Sequence, residues 1–294
     1  MSSITVGRDG STPIELYCED RGNGRPVVLV HGWPLSGASW EKQTTALVDA
    51  GYRTIVYDRR GFGRSSKPAT GYDFDTLADD LHKVLTHLDL RAAALVGFGM
   101  GTGEVARYVH AYGSRRVSCA AFIAALLPHL PRTTDNPSGV DPAVLDGIRT
   151  ALVADRARYL STFFSDFCND DALGDRAAAG DAIRLGWDTA TAASLEAMLA
   201  CVAAWRTDFR KGLAGIDVPA LVVHGSADRI FPLAATALPL HSALRDGRLV
   251  VVEGGPHGVI WTHAARVNDE LLRFLARHCP TAEARPTTAR PSEE

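Results

Sequence analysis

The chain has 294 residues, of which 46% are hydrophobic and 22% charged. That balance supplies a sizeable apolar core and excludes global disorder, and a single α/β domain with an insertion fits the length as well as two domains do. The net charge of −3, from 31 Lys+Arg against 34 Asp+Glu, lacks the positive excess of a nucleic-acid surface, and no apolar run reaches the ~20 residues of a membrane helix.

In chain order, short apolar runs at 14–18, 26–30, 54–57, 92–96, 119–125, 220–224 and 249–252 are bounded by Gly, Pro or charge and predict strands. Longer segments at 40–50, 74–88, 102–112 and 264–278 predict helices. In the second of these, Leu77, Leu81, Val84, Leu85 and Leu88 make one apolar stripe at helical spacing. Alternating strands and helices imply a mostly parallel sheet covered on both faces. The alternation breaks over 131–216, an Ala-rich stretch with Tyr159, Phe163, Phe164, Phe167, Trp187 and Trp205. It reads as a helical cap inserted between two core strands and seated over one edge of the sheet. The expected organisation is a core of 1–130 and 217–278, a cap of 131–216 and a disordered tail of 279–294. The start of the chain has neither a basic region nor an apolar signal core. The five cysteines, Cys18, Cys119, Cys168, Cys201 and Cys279, are scattered without CxxC spacing, which predicts reduced thiols, no metal site and a cytoplasmic location.

Four short segments carry candidate chemistry. His31-Gly32-Trp33-Pro34 follows a predicted strand; its glycine permits a sharp turn, and the Trp33 amide is a candidate anion donor. The glycine-rich run at 95–103 joins a strand to a helix. Asp228 follows one strand end, and Gly254-Gly255-Pro256-His257-Gly258 follows another. Phosphate binding at the glycine-rich turn fits poorly, because no Lys-Ser/Thr follows and the spacing is G-x-G-x-G. Asp58, Arg59, Arg60 and Arg64 read as a structural turn, and His224 as a satisfied core histidine.

Together these segments resemble α/β-hydrolases, specifically the cofactor-free haloperoxidase/perhydrolase and aryl-esterase group. The matching stretches are HGWP at 31–34, YDRRGFGRSSKP at 57–68, LVGFGMGTGEVARY at 95–108, HGSADRIFP at 224–232 and EGGPHGVIWTHA at 253–264. The resemblance implies a mostly parallel, eight-stranded-type α/β-hydrolase sheet with helices on both faces and a helical cap. The family order is nucleophile, acid, histidine, and positions 99, 228 and 257 follow it. It implies His257 as catalytic base, Asp228 as its orienting acid, and the amides of Trp33 and Met100 as an oxyanion hole. His31, Ile230, Phe231 and Val259 fall beside the motifs as candidate pocket residues, with His31 shaping the oxyanion loop.

One position departs from the family. Its elbow is G-x-S-x-G, whereas Gly97-Phe98-Gly99-Met100-Gly101 puts Gly99 where the nucleophile belongs. Glycine can neither attack a carbonyl nor form an acyl-enzyme. The reading is then a base and an anion hole acting on a small apolar substrate without a serine, by elimination, isomerisation or cyclisation, or water activation. Weak ester hydrolysis through an activated water, a Ser-to-Gly inactivated serine esterase or perhydrolase, and a non-catalytic small-molecule receptor stay open. No cofactor, metal, nucleic-acid or membrane partner is expected, and a homo-oligomer is compatible.

Overall fold

The computed structural model describes residues 2–172 and 176–281. Runs rich in Val, Leu, Ile and Ala form eight strands: β1 Ser2–Asp9, β2 Thr12–Arg21, β3 Pro26–Val30, β4 Arg53–Tyr57, β5 Ala93–Phe98, β6 Val117–Ile123, β7 Ala220–Gly225 and β8 Gly247–Val252. They form one sheet in the order β1-β2-β4-β3-β5-β6-β7-β8. β1 and β2 are antiparallel, as are β2 and β4; every other neighbouring pair is parallel. The central strands β3, β4, β5 and β7 are buried almost throughout, as a parallel sheet with helices on both faces requires.

The helices are α1 Glu41–Asp49, which follows a 3₁₀ turn at Gly37–Trp40, α2 Phe74–His87, α3 Met100–Tyr112, α4 Pro142–Ala154, α5 Arg156–Cys168, α6 Arg176–Thr191, α7 Leu195–Ala204, α8 Arg210–Leu213, α9 Ala237–Ala243, α10 Val259–Thr262 and α11 Ala264–His278. α2 shows why such segments fold. Asp73 caps its N-terminus, accepting from the Thr76 N–H at 2.9 Å, and Leu77, Leu81, Val84 and Leu85 are buried as one stripe. α9 was not expected, because Pro239 interrupts its apolar run; Pro239 lies in the first turn, where no intrahelical N–H is needed.

α4 to α8 lie in the chain between β6 and β7. Phe163 and Trp205 pack on Trp33, Trp205 packs on Phe231, and Phe167 packs on His257. The helical insertion thus packs on the loops at the carboxyl ends of β3, β7 and β8. Those loops offer the large apolar rings that its amphipathic helices must bury, and this end of an open α/β sheet is where ligand crevices form. Cys279, assigned to the tail by sequence, is buried; residues 282–294 of that expected tail lie outside the described residues. All five cysteines are buried and unpaired. Among the described residues, no helix is long and apolar enough to cross a membrane.

Candidate active site

β5 runs directly into Gly99, and α3 starts at the next residue. Gly99 has φ 52° and ψ −119°, a conformation that costs an L side chain strain and that marks strand–turn–helix elbows. Its N–H donates to the Ile123 carbonyl at 2.9 Å, and its carbonyl accepts from the Thr102 hydroxyl at 2.6 Å. The flanking glycines are required by space. A Cβ on Gly97 would lie 2.6 Å from the Gly101 carbonyl oxygen, and one on Gly101 would lie 2.3 Å from the Val30 carbonyl oxygen. Position 99 is different. A Cβ there would meet His257 Nε2 at 3.2 Å and Gly32 Cα at 3.7 Å, so a small side chain fits once His257 yields by a few tenths of an ångström.

His257 stands on the loop after β8, and Asp228 on the loop after β7. The His257 Nδ1–H donates to Asp228 Oδ2 at 2.7 Å, which leaves the Nε2 lone pair facing Gly99. Asp228 Oδ1 accepts from the amides of Ile230 and Phe231, both at 2.8 Å. Burial by itself would raise the Asp228 carboxyl, but the adjacent His257 and the hydrogen bonds from His224 and His257 hold it well below the usual carboxylate range. His224 was read as a core residue. It is fully buried, its Nδ1 accepts from the Ala125 amide at 3.2 Å, and its Nε2 donates to the Phe231 carbonyl at 2.8 Å. It also abuts Asp228, 3.3 Å away, a contact that no local sequence signal announced.

The loop after β3 brings Trp33 to the same place. Its N–H has no acceptor among the described residues, and the Met100 N–H belongs to the first turn of α3, where amides lack intrahelical partners. The helix dipole favours negative charge at amides in such a first turn. His31 sits below this loop and uses both ring nitrogens: Nδ1–H donates to the Gly32 carbonyl at 2.7 Å and Nε2 accepts from the Arg59 amide at 2.9 Å. Arg59 also donates to the His31 carbonyl at 2.7 Å and to Glu104 on α3 at 2.8 Å. One buried Arg–Glu pair thereby braces the loop of Trp33 and the helix of Met100. Glu104, invisible as a partner in the sequence, accepts from Tyr57 as well. Arg60 forms a two-point pair with buried Asp80, at 2.6 and 2.7 Å. Asp58 accepts from the amides of Gly37 and Arg64, so the 58–64 cluster is a structural turn.

Burial, followed by the charge of Arg59, depresses His31 well below the usual imidazole range. The unfolded chain, where this ring protonates near 6.5, then binds more protons than the fold below that pH. The stability contributed by neutral His31 is present above about pH 6.5 and declines as pH falls. The difference in unfolding free energy between wild type and His31→Gln is expected to shrink from about pH 7 to about pH 5 in urea titrations. A difference constant across that range would remove this role.

The remaining candidates divide. The Phe231 ring lies 5.0 Å from the His257 ring, and buried Val259 donates its N–H to the His257 carbonyl. Ile230 holds Asp228 through its amide and is half-buried. Sequence reasoning did not single out Phe98, Phe163, Phe167 or Trp205 as site residues. Phe98 and Phe167 lie 5.2 and 5.0 Å from the His257 ring. Their aromatic character was legible, but the face each presents was not. A cavity of about 480 Å³ opens elsewhere, between β2, the 3₁₀ turn and α6, and contains none of these residues.

The alpha/beta hydrolase fold family matches residues 25–264. The chain belongs to this family. A Synechocystis sp. protein assigned provisionally as a non-heme chloroperoxidase is 52% identical over 275 residues, covering 94% of this chain and 100% of that protein. The crystal structure of a bromoperoxidase from Bacillus anthracis superposes with a TM-score of 0.88 at 44% identity, covering 93% of this chain and 99% of that one. An esterase from Exiguobacterium antarcticum gives a TM-score of 0.85 at 30% identity, covering 94% and 99%. In this α/β-hydrolase the elbow, the Asp228 loop and the His257 loop are all assembled, with a glycine at the apex.

Proposed function

We propose that the protein is an enzyme that converts a small, largely apolar organic molecule without a covalent serine. In this reading His257 is the general base and Asp228 orients it, while the amides of Trp33 and Met100 form the oxyanion hole. The observation that carries it is the 3.2 Å between His257 Nε2 and the point where a Cβ on Gly99 would stand, which leaves the basic nitrogen facing a bare elbow. Ionised Asp228 keeps the proton on Nδ1, so Nε2 is free to take a proton from an acidic C–H, a phenol or a water. Negative charge that develops on a substrate oxygen is then met by the two amides. The missing hydroxymethyl group leaves room for a water or a substrate atom between Nε2 and those donors. Elimination, isomerisation or cyclisation, and water activation all suit this apparatus, and none needs a cofactor or metal. The names of the relatives support small-molecule chemistry, and five unpaired buried thiols support a cytoplasmic setting.

The room at position 99 favours a second reading, a serine esterase or perhydrolase whose nucleophile has been replaced by glycine while its His–Asp pair persists. Both readings expect no labelling by serine-directed fluorophosphonates. Ser65 is engaged with Asp58 and Tyr17, and Ser226 with Glu253 and Gly254, so neither hydroxyl replaces the missing one. A stoichiometrically labelled serine in the mass spectrum, with loss of activity, would assign the nucleophile elsewhere. The two readings separate in a metabolite screen by thermal stabilisation, followed by mass-spectrometric analysis of products. The first expects at least one stabilising compound to be transformed; binding without transformation throughout the screen overturns it.

A further inference from the structure

The end of α5 is tied to both loops that carry the His–Asp pair. Asn169, the residue that ends this helix, has φ 51° and ψ 50°, and its Nδ2–H donates to the Ala227 carbonyl at 2.8 Å. Ala227 immediately precedes Asp228. Two residues before Asn169, the Phe167 carbonyl accepts from the Gly258 N–H at 2.8 Å, and Gly258 immediately follows His257. Arg229, on the other side of Asp228, pairs with Asp171 at 2.9 Å and reaches Asp166 at 3.6 Å. Residues 166–171 thus hold a chain neighbour of each member of the pair.

These ties are unequal. The Arg229 pairs are exposed to solvent and therefore weak. The Phe167–Gly258 bond joins two backbones and needs no particular side chain. Asn169 differs. It is 3% exposed, and its amide is the one donor to the Ala227 carbonyl among the described residues. That carbonyl and the Asp228 N–H belong to one planar peptide and turn together. The N–H makes only a long bond, 3.4 Å to the Gly225 carbonyl, so the grip on the carbonyl side sets the plane from which the Asp228 side chain springs. The Ile230 and Phe231 amides hold the far end of that side chain at Oδ1; Asn169 holds its root. A flipped Asn169 amide would put oxygen against oxygen, which fixes Nδ2 as the atom that faces Ala227. Glycine suits a left-handed helix end better than asparagine does, but it has no amide to give.

We propose that Asn169 is a positioning residue for the Asp228–His257 pair, supplied by the helical insertion: by fixing the Ala227–Asp228 peptide it sets the line along which Asp228 Oδ2 accepts from His257 Nδ1–H. This rests on the reading that His257 is the working base. Asn169 acts through Asp228 and not on the substrate, and the docked end of α5 becomes a condition for the alignment of the pair.

The test follows the His257 Nδ1 proton by NMR in the full chain. Bonded to a carboxylate, that proton resonates at low field, and it is assigned by its loss in His257→Ala. Asn169→Gly keeps the left-handed backbone without steric cost and removes the amide. Asn169→Asp keeps the shape of the side chain but sets a carboxylate against the Ala227 carbonyl. Both variants are expected to shift the low-field line and to speed its exchange with water. Both should also lower turnover of the compound from the metabolite screen by up to about 10²-fold, the cost of a reacting group held out of place, with the Michaelis constant little changed. A merely structural role would lower the unfolding midpoint and leave the line of the folded protein where the wild type has it, so an unmoved line with unchanged exchange in both variants overturns the proposal. The wild type decides even if neither variant folds. On warming, the Asn169 side-chain amide and the Nδ1 proton are expected to lose protection from exchange in one step, and loss of the amide with the low-field line intact overturns the role. A shifted line with no compound transformed keeps the positioning role and removes the base-catalysed reading. A His257-dependent conversion with an unmoved line does the reverse.

Discussion

Replacing Gly99 by serine is expected to raise hydrolysis of p-nitrophenyl acetate by about 10³-fold or more over both wild type and Gly99→Ala. The backbone at 99 already holds the elbow conformation, and His257 Nε2 faces the point where Cβ would be. A serine therefore arrives beside a base whose Nδ1–H is already bonded to Asp228 at 2.7 Å. Covalent catalysis divides one difficult step into two easier ones. Complete removal of a serine nucleophile elsewhere costs about 10⁶ in turnover, so even a serine misaligned by three powers of ten remains visible. Gly99→Ala is the necessary control, since it introduces the same Cβ and the same backbone strain without the hydroxyl. That strain, about 1–3 kcal/mol for an L residue in such a conformation, should lower the unfolding midpoint of both variants alike. A folded serine variant no faster than the alanine variant would mean that the pocket is shaped for something other than ester cleavage.

His257→Ala is expected to reduce turnover of the compound found in the metabolite screen by about 10²–10⁴-fold, the usual worth of a general base, while leaving its binding nearly intact. Asp228→Asn should also slow turnover. It replaces a buried ionised carboxylate with an amide and releases the tautomer that keeps Nε2 unprotonated. The loss should fall on the rate constant more than on the Michaelis constant, because the ring that borders the site is removed but the donors are not. Progress curves by mass spectrometry for wild type and both variants make the comparison. Equal conversion by wild type and His257→Ala would move the chemistry away from this ring.

Sequence alone determined those features that rest on short-range physics. The α2 stripe of Leu77, Leu81, Val84 and Leu85 is buried where the periodicity put it. The runs at 26–30 and 220–224 are strands, as their short length, β-branched residues and flanking turn residues suggested. The first strand was missed although Ile4 and Val6 point inward in alternation; two apolar positions before Gly7 are too few for a pattern, and pairing with β2 is what commits them. Residues 99, 228 and 257 were picked out as an ordered set through the resemblance to α/β-hydrolases, whose nucleophile, acid and histidine follow one another in that order. Tertiary structure decided what those loops touch. Only packing matches Arg59 to Glu104 and Arg60 to Asp80 across 45 and 20 residues of chain, and only packing sets His224 against Asp228. The same holds for the aromatics of the insertion. Its Ala-rich helices leave the orientation of each helix to the surface it meets, so Phe163, Phe167 and Trp205 became neighbours of His257 and Trp33 through contacts between distant segments, which no local period encodes.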